Sequence, residues 1–452
     1  VPAPAPETTK TPTVTSGETE PWELSPAQAA AVSSQFSGPA RVRGAFGTGR
    51  SVVAACRAVH LATSRPGIVA VVVPSTTQID PMWQRLERVG EPEVLERILV
   101  DVPAGLARTV LAEFGTEART SPETLAKIWA AAETQVGIKP GSTDPSVATV
   151  RDEVRLIRGR GLVDAAEYDN LRAEVPSSLR IQVWALHETY MDELRRRNLP
   201  DDHDLVRMAR AALRAGMPSR ITSAVVDDAN DLTLDELMMI RELVGTGPDA
   251  LTVLDDGMPG LLPVGTTLRE AGIDVAGHVD LQHDFRLTGP LWTSLVRLLQ
   301  PDPGFDLAGT AERPRLVGQL PDGEGPAYLR SQVSALRRER LVSRVTELVA
   351  GGAAPGSIAM LLIEDEPEAD LVRDLIRAGL PMRGLDLDDP ASIALGRARD
   401  ARGVEFDHVL VPDARHRDVV PVGGVRWDQR QRRRLLGLAL TRARKTVWIA
   451  GV

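Results

Sequence analysis

The sequence predicts an α/β protein: parallel sheets covered by helices, in two successive lobes, with a helical insertion in the first. Three observations predict it. Short apolar, β-branched runs bounded by breakers, such as "GIVAVVVPS" and "SAVVDDAND", alternate with helical stretches, as buried parallel strands do. The segment from about Ser121 to Ser219 is mostly helical by pattern and too long for a βαβ crossover. A second alternation of strands and helices begins near Val317.

Taken in order, residues 1–21 are rich in Pro, Thr and Glu with almost no large apolar residue, the composition of a disordered tail. "PWELSPAQAAAVSSQF" reads as a helix with Ser25 as N-cap and Pro26 at its first position. "ARVRGAFGTGRSVVAACRAVHLAT" reads as strand, glycine turn and helix. "GIVAVVVPS", "RILVDVP", "SAVVDDAND" and "ALTVLDD" are four more strands, the last two ending on acidic residues. "LRIQVWALHETYMDELRRRN" and "DDHDLVRMARAALRAG" are helices of the insertion. "GSIAMLLI", "EADLVRDLIRAGLP", "FDHVLVPD" and "TVWIAGV" supply the second lobe, whose last strand is placed from Thr446. In such open sheets ligands bind at the strands' C-terminal ends.

Composition excludes several classes. Hydrophobic content of 43% and charged content of 25% fit a globular chain, and the 452 residues exceed one ordinary domain. A single cysteine, Cys56, excludes an internal disulfide framework and a Cys-rich zinc site. No stretch reaches the ~20 apolar residues of a membrane span, and the N-terminus lacks the layout of a signal peptide. A cytoplasmic, non-membrane protein is expected. With a net charge of -9, a nucleic-acid surface would have to be a local patch.

"GAFGTGRS", Gly44 to Ser51, matches G-x-x-x-x-G-K-[ST] except at Arg50. Glycines turn backbone N–H groups toward phosphate oxygens, the following helix N-terminus favours anions, and Ser51 is placed to hold Mg²⁺. Alone, the octet reads equally well as a plain glycine turn. "VVDDAND" places Asp227 and Asp228 at a strand end, where one carboxylate can hold Mg²⁺ through a water and the other orient an attacking water; alone it reads as a solvated acidic turn. "LALTRARK" places Arg442 and Arg444 just before the last strand, and a guanidinium aimed at a γ-phosphate stabilises charge in the transition state.

The order of "LSPAQ", "GAFGTGRS", "VVDDAND", "LQHDFRLT", "ARGVEFDHVLV" and "LALTRAR" resembles that of superfamily 1 DNA helicases of the UvrD/Rep/PcrA group, from Trp22 onward. "GPARVRGAFGTGRS" is most similar to the actinobacterial recombination motors of the AdnA/AdnB type. The resemblance implies two RecA-like P-loop lobes, the first from 22–120 and 219–300 and the second from 301–452, with the inserted helical subdomain at 121–218. It implies that ATP and Mg²⁺ are the cofactors and single-stranded DNA the partner, with a second motor or nuclease subunit alongside. Position by position, it implies that Gln28 reads the adenine edge and that Gly44, Gly47, Thr48, Gly49, Arg50 and Ser51 cradle phosphates. Asp227 falls at the magnesium position with Ser51, and Asp228 at the water-activating position. Arg286 and Arg442 face the γ-phosphate, Glu405 approaches the ribose, and Phe285 stacks on the base in place of the family's tyrosine.

Departures from the family pattern recur at separate elements. Arg50 replaces the loop lysine, Asp228 is one methylene shorter than the family's Glu, and Asn230 stands for a Gln. "DDGMPGLLP", including Pro259, lacks the glutamine of "GDxxQ", and Arg397, Arg399 and Arg402 replace the Thr, His and Lys of "TxHxxKG". A misplacement of ~1 Å can reduce a rate about a hundredfold. The expectation is a motor-like module whose hydrolysis is weak or absent, in a repair or recombination assembly; an active ATP-dependent single-strand translocase is the alternative. The regulatory subdomain that the family inserts between "SIAMLLI" and "GVEFD" is expected to be missing, and nothing in the sequence up to Val452 supports nuclease activity. Arg397 to Lys445 holds 13 Lys/Arg against six Asp/Glu, including "DQRQRRR", a candidate DNA-tracking face or else a solvated helix. Trp83, Trp129 and Trp184 are candidates for base stacking or for core.

Overall fold

A computed structural model describes residues 22–451, except 117–119, 139–145, 259, 263, 301–304, 312–315, 317–319, 332, 364–366, 386, 388 and 421–425. The N-terminal tail and Pro259 therefore lie outside the described residues.

Parallel pairing dominates both halves. The first sheet holds β1 (Ala40–Gly44), β2 (Ile68–Val72), β3 (Ile98–Asp101), β4 (Ile221–Val226), β5 (Leu251–Asp255) and β6 (Gly277–Leu281), in the order β3-β2-β4-β5-β1-β6. The second holds β7 (Ala327–Leu329), β8 (Ile358–Leu362), β9 (Met382–Arg383), β10 (Ile393–Arg397), β11 (Phe406–Val411) and β12 (Ala443–Ala450), in the order β7-β12-β11-β8-β10-β9. Every strand pair is parallel, so all strand ends of one kind fall on one edge of each sheet.

Continuous apolar strands need helices on both faces, and both sheets have them. In β2, Val69 and Val71 pack with Val53, Leu61 and Leu86 on one side, while Ala70 and Val72 pack with Leu106, Val110 and Leu205 on the other. In β8 the same alternation sends Ala359 and Leu361 toward Leu435, Leu436 and Ala439, and Ile358 and Met360 toward Leu341, Val345 and Leu375. Four helices between β3 and β4 (Pro122–Val136, Val147–Arg160, Ala165–Leu171 and Ser177–Arg197) share their own cluster, including Ile128, Val154, Tyr168, Leu186 and Tyr190. The helix Asp202–Arg214, by contrast, packs Leu205, Val206 and Ala209 onto the first sheet.

Ser25 caps the first helix, Pro26–Ser33, with a reciprocal capping box to Gln28. Strands β6, β7, β9 and β10 have no counterpart among the strands read from the sequence, because they are short or carry polar residues. The last strand begins at Ala443 rather than Thr446, so Arg444 lies within it. Trp129 stacks on Tyr190 with ring centroids 3.9 Å apart, Trp184 lies against Tyr168, and Trp83 packs in the core beside the first sheet, so all three serve packing. Between β8 and β11 the described residues form one helix, Ala369–Arg377, two short strands and a turn. No described helix is long and apolar enough to cross a membrane.

A buried ion network ties β1 to its neighbours. Arg41 donates to Asp255 at 3.1 and 2.7 Å and to Asp306 at 2.8 Å, with both carboxylates fully buried. Arg41→Met strands two buried carboxylates and is expected to lower stability by about 3–5 kcal/mol. Arg43→Met, whose main partner Asp280 is partly exposed, is expected to lower it by less than about 1 kcal/mol. Denaturant unfolding of the two variants checks this contrast; equal losses would show that the buried network is not what holds β1.

Candidate nucleotide-sized cavity

The parallel arrangement gathers the chemistry at one edge. The loop after β1 (Gly44 to Gly49), Asp227 and Asp228 after β4, Asp256 after β5 and Asp284 after β6 all follow the C-terminal ends of first-sheet strands. The second sheet contributes from the opposite polarity: Gly403 and Glu405 precede β11, and Arg442 precedes β12. Between them lies a cavity of about 380 Å³, within the usual range for small-molecule sites. Of the residues singled out from the sequence, Gly47, Gly49, Arg50, Ser51, Asp228, Phe285, Arg286, Glu405, Arg442 and Arg444 line it. Gln28, Gly44, Thr48 and Asp227 do not, and each sits behind the lining.

Gln28 braces the loop from outside. Its Nε2 donates to the Thr48 carbonyl at 2.9 Å, and its Oε1 accepts from the Ser25 amide at 2.9 Å. The tight turn is enforced by packing: Gly47 has φ +88°, and a Cβ there would collide with the Asp284 carboxylate. Gly49 has φ +80°, and a Cβ there would collide with the Gln28 amide. Asp284 also accepts from the amides of Arg286 and Leu287 at 2.7 and 2.9 Å, which fixes the turn carrying Phe285 and Arg286. Phe285 donates its amide to the Gly47 carbonyl at 3.1 Å and leaves its ring 60% exposed.

Arg50 is buried at the start of the helix Arg50–Ser64, and it turns back into its own loop. Its Nη1 donates to the carbonyls of Gly44 at 2.5 Å and Ala45 at 2.9 Å, while Nη2 donates to Asp228 Oδ1 at 2.6 Å. Gln78 donates to the other Asp228 oxygen at 3.1 Å. Asp228 adopts a left-handed φ of 45°, a conformation non-glycine residues seldom hold outside functional or capped turns. Burial works to raise the Asp228 carboxyl, but Arg50, with Arg402 next, outweighs it and holds the group ionised well below the usual range. Burial and the adjacent Asp228 charge push Asp227 the other way, although Arg50 and the Ser51 hydroxyl oppose them. A carboxylate locked as the anion is a poor proton acceptor near neutral pH.

The opposite wall is cationic. Glu405 pairs with Arg286 and, at 3.1 Å, with Arg444. Burial works to raise Glu405, but Arg286, Arg442 and Arg444 bring it down to about 2. Arg442 is 7% exposed, donates only to the neighbouring Thr441 hydroxyl at 3.2 and 3.0 Å, and makes no ion pair among the described residues. Burial first, then Arg286, lowers it to about 9. The Arg286 Nε is also buried without a hydrogen-bond partner among the described residues. Glu405 and Asp228 act on Arg442 in the opposite sense without pairing with it directly, so this wall keeps an excess of positive charge.

Part of the basic run is turned inward, away from solvent. In the helix Trp427–Leu440, Arg432 pairs with Asp418 at 2.8 Å, and Arg433 donates to the Leu298 carbonyl at 3.0 Å. Arg434 donates to the carbonyls of Gly260 and Leu262, both at 2.7 Å, and all three arginines are buried. Arg399 bridges bidentately to Asp152 in the helix Val147–Arg160, and Arg402 contacts Asp231. Carboxylates and carbonyls supplied by distant segments turn the run inward, which a count of local charge does not register.

Gln78, Arg85, Asp256 and Asp284 belong to the site, yet sequence reasoning did not single them out. Asp284, inside "LQHDFRLT", and Asp256, at the acidic end of "ALTVLDD", carried a signal. Comparison with protein-family models gives no match, and comparison with curated proteins gives no significant one.

Burial pushes Asp256 up to about 7 despite Arg50. The folded state therefore binds the extra proton between about pH 4 and pH 7, and the associated stability is complete below that window and lost as pH rises through it. Asp256→Asn is expected to reduce the decline in stability between pH 5 and pH 8 by on the order of 1 kcal/mol or more. Unfolding midpoints across that range check it, and an unchanged slope would refute it.

Proposed function

We propose that the chain is a UvrD-like superfamily 1 helicase-type module, with two RecA-like lobes and an inserted helical subdomain. It binds a nucleoside triphosphate between the lobes and hydrolyses it weakly or not at all. The observation that carries the nucleotide part is Arg442: buried, unpaired, and set beside Arg286 across a cavity of suitable size. Phe285 offers an exposed ring to a base, and the helix N-terminus at Ser51 favours phosphate. Ser51, whose hydroxyl opposes the rise of the Asp227 carboxyl, and Asp227 itself are the residues that would hold Mg²⁺, whose chemistry is charge neutralisation on phosphate oxygens.

Weak hydrolysis follows from Arg50. A loop lysine would reach forward to the β- and γ-phosphates; this guanidinium reaches back to Gly44, Ala45 and Asp228. It withholds one cation from the ligand and keeps the water-activating carboxylate in an ion pair. Single-stranded DNA is the polymer partner in this reading, with a second motor or nuclease subunit in a repair or recombination assembly. The resemblance of the ordered motifs supports that part.

Two measurements test the proposal. Arg442→Ala is expected to weaken ATP binding at least tenfold, since a charge-assisted contact contributes roughly 1.5–3 kcal/mol; undiminished binding removes the nucleotide assignment. In a DNA-stimulated ATPase assay, the parent is expected to stay near background and Arg50→Lys with Asp228→Glu to rise above it. Robust turnover by the parent would establish the active translocase instead.

A further inference from the structure

A second cavity, of about 640 Å³, shares no lining residue with the first. It lies among the helices Val147–Arg160, Ser177–Arg197 and Asp202–Arg214. Six arginines line it, Arg158, Arg160, Arg195, Arg207, Arg210 and Arg214, against one carboxylate, Asp235. Helical spacing collects them: positions 207, 210 and 214 recur three and four residues apart on one face.

The other carboxylates that pair with these arginines, among them Asp201, Glu242 and Glu270, stand outside the lining. A guanidinium carries five donors in a fixed fork, so one carboxylate leaves donors over. Six guanidiniums around a single lining carboxylate present more donors than the cavity wall can satisfy, which suits a ligand with several acceptor oxygens and more than one charge.

We infer that this cavity is a binding site for consecutive phosphate groups, either of a free oligophosphate or of a nucleic-acid backbone, held by the arginines with His187 as an additional donor. The inference stands apart from the nucleotide cavity and does not depend on it. A linked proton follows. Burial, and then Arg158, Arg207 and Arg195, hold the His187 imidazole down at about 4, opposed by Asp201. A bound polyanion offsets those three guanidinium charges, so binding favours the imidazolium and takes up a proton.

The test is calorimetric titration of the full chain with sodium tripolyphosphate, near pH 6, in two buffers of different ionisation enthalpy. Every protein carries Arg442→Ala, so that the first cavity contributes little and its failure cannot be mistaken for this one's. Tripolyphosphate is expected to bind with net proton uptake. Arg195→Ala with Arg214→Ala, at side chains 70% and 61% exposed, is expected to weaken it at least tenfold without disturbing the core. His187→Gln is expected to retain binding and lose the uptake. Competition by a single-stranded oligonucleotide identifies a backbone as the source of the phosphates, and its absence identifies a free oligophosphate. Binding that is absent in the parent, or undiminished in the double arginine variant, overturns the site; uptake that persists in His187→Gln overturns the role of the imidazole.

Discussion

The pairing of Arg50 with Asp228 is the constraint around which the rest of the first cavity is arranged. This deeply buried guanidinium directs its two terminal nitrogens to two carbonyls of its own loop and a carboxylate from the end of β4, while its Nε has no hydrogen-bond partner among the described residues. That choice closes the loop onto the neighbouring strand end. It fixes Asp228 as an anion in a left-handed turn, leaves its second oxygen to Gln78, and raises Asp227 through the adjacent charge. The result is a wall whose charges are largely balanced within the protein. Across the cavity, Arg442 makes no ion pair among the described residues, and the nucleotide proposal rests on this asymmetry between the two walls.

Arginine does structural work throughout the chain that hydrophobic residues do elsewhere. Arg41 locks β1 to β5, Arg433 and Arg434 join the helix Trp427–Leu440 to the segment around Leu298 and Gly260, and Arg399 reaches Asp152. Long side chains with planar forks can span gaps between layers while their stems pack as apolar groups. With aromatics at only 4% of the sequence, such bridges take over part of the cohesion between elements. A surplus of basic residues in a short segment is consequently poor evidence for an external polyanion in this protein. Stronger evidence comes from several guanidiniums lining one open space with a single carboxylate among them, as around Arg158 and Arg210.

How much was legible in advance depended on whether the signal was local. The buried strands β1, β2, β3, β4, β5, β8 and β11 announce themselves as apolar runs, and Ser25 with Pro26 announces a helix start, because these preferences act within a few residues. Edge strands such as β6 and β9 have no such pattern, since one side of each pairs with nothing and needs no apolar continuity. For the cavity, the glycine loop, the acidic pair, Phe285, Arg286, Glu405 and Arg442 could be named from motif order, and the structure lines one space with most of them. Gln78 could not, because nothing in its neighbourhood distinguishes it from an ordinary loop residue; Asp256 lay at an acidic strand end, but its burial beside Arg50 comes only from the fold.

By itself, then, the sequence determined the strand-and-helix alternation, the turn at Gly47 and Gly49, and which residue types were available for chemistry at the strand ends. Tertiary structure alone decided what each charge faces. It turned Arg50 back onto Asp228, buried the run Arg432 to Arg434 against carboxylates and carbonyls from remote segments, and left Arg442 without a counter-ion among the described residues. The physical reason is range: backbone preferences are set by neighbours along the chain, whereas the free energy of a charge is set by the neighbours that folding brings within a few ångströms and by the water that folding removes.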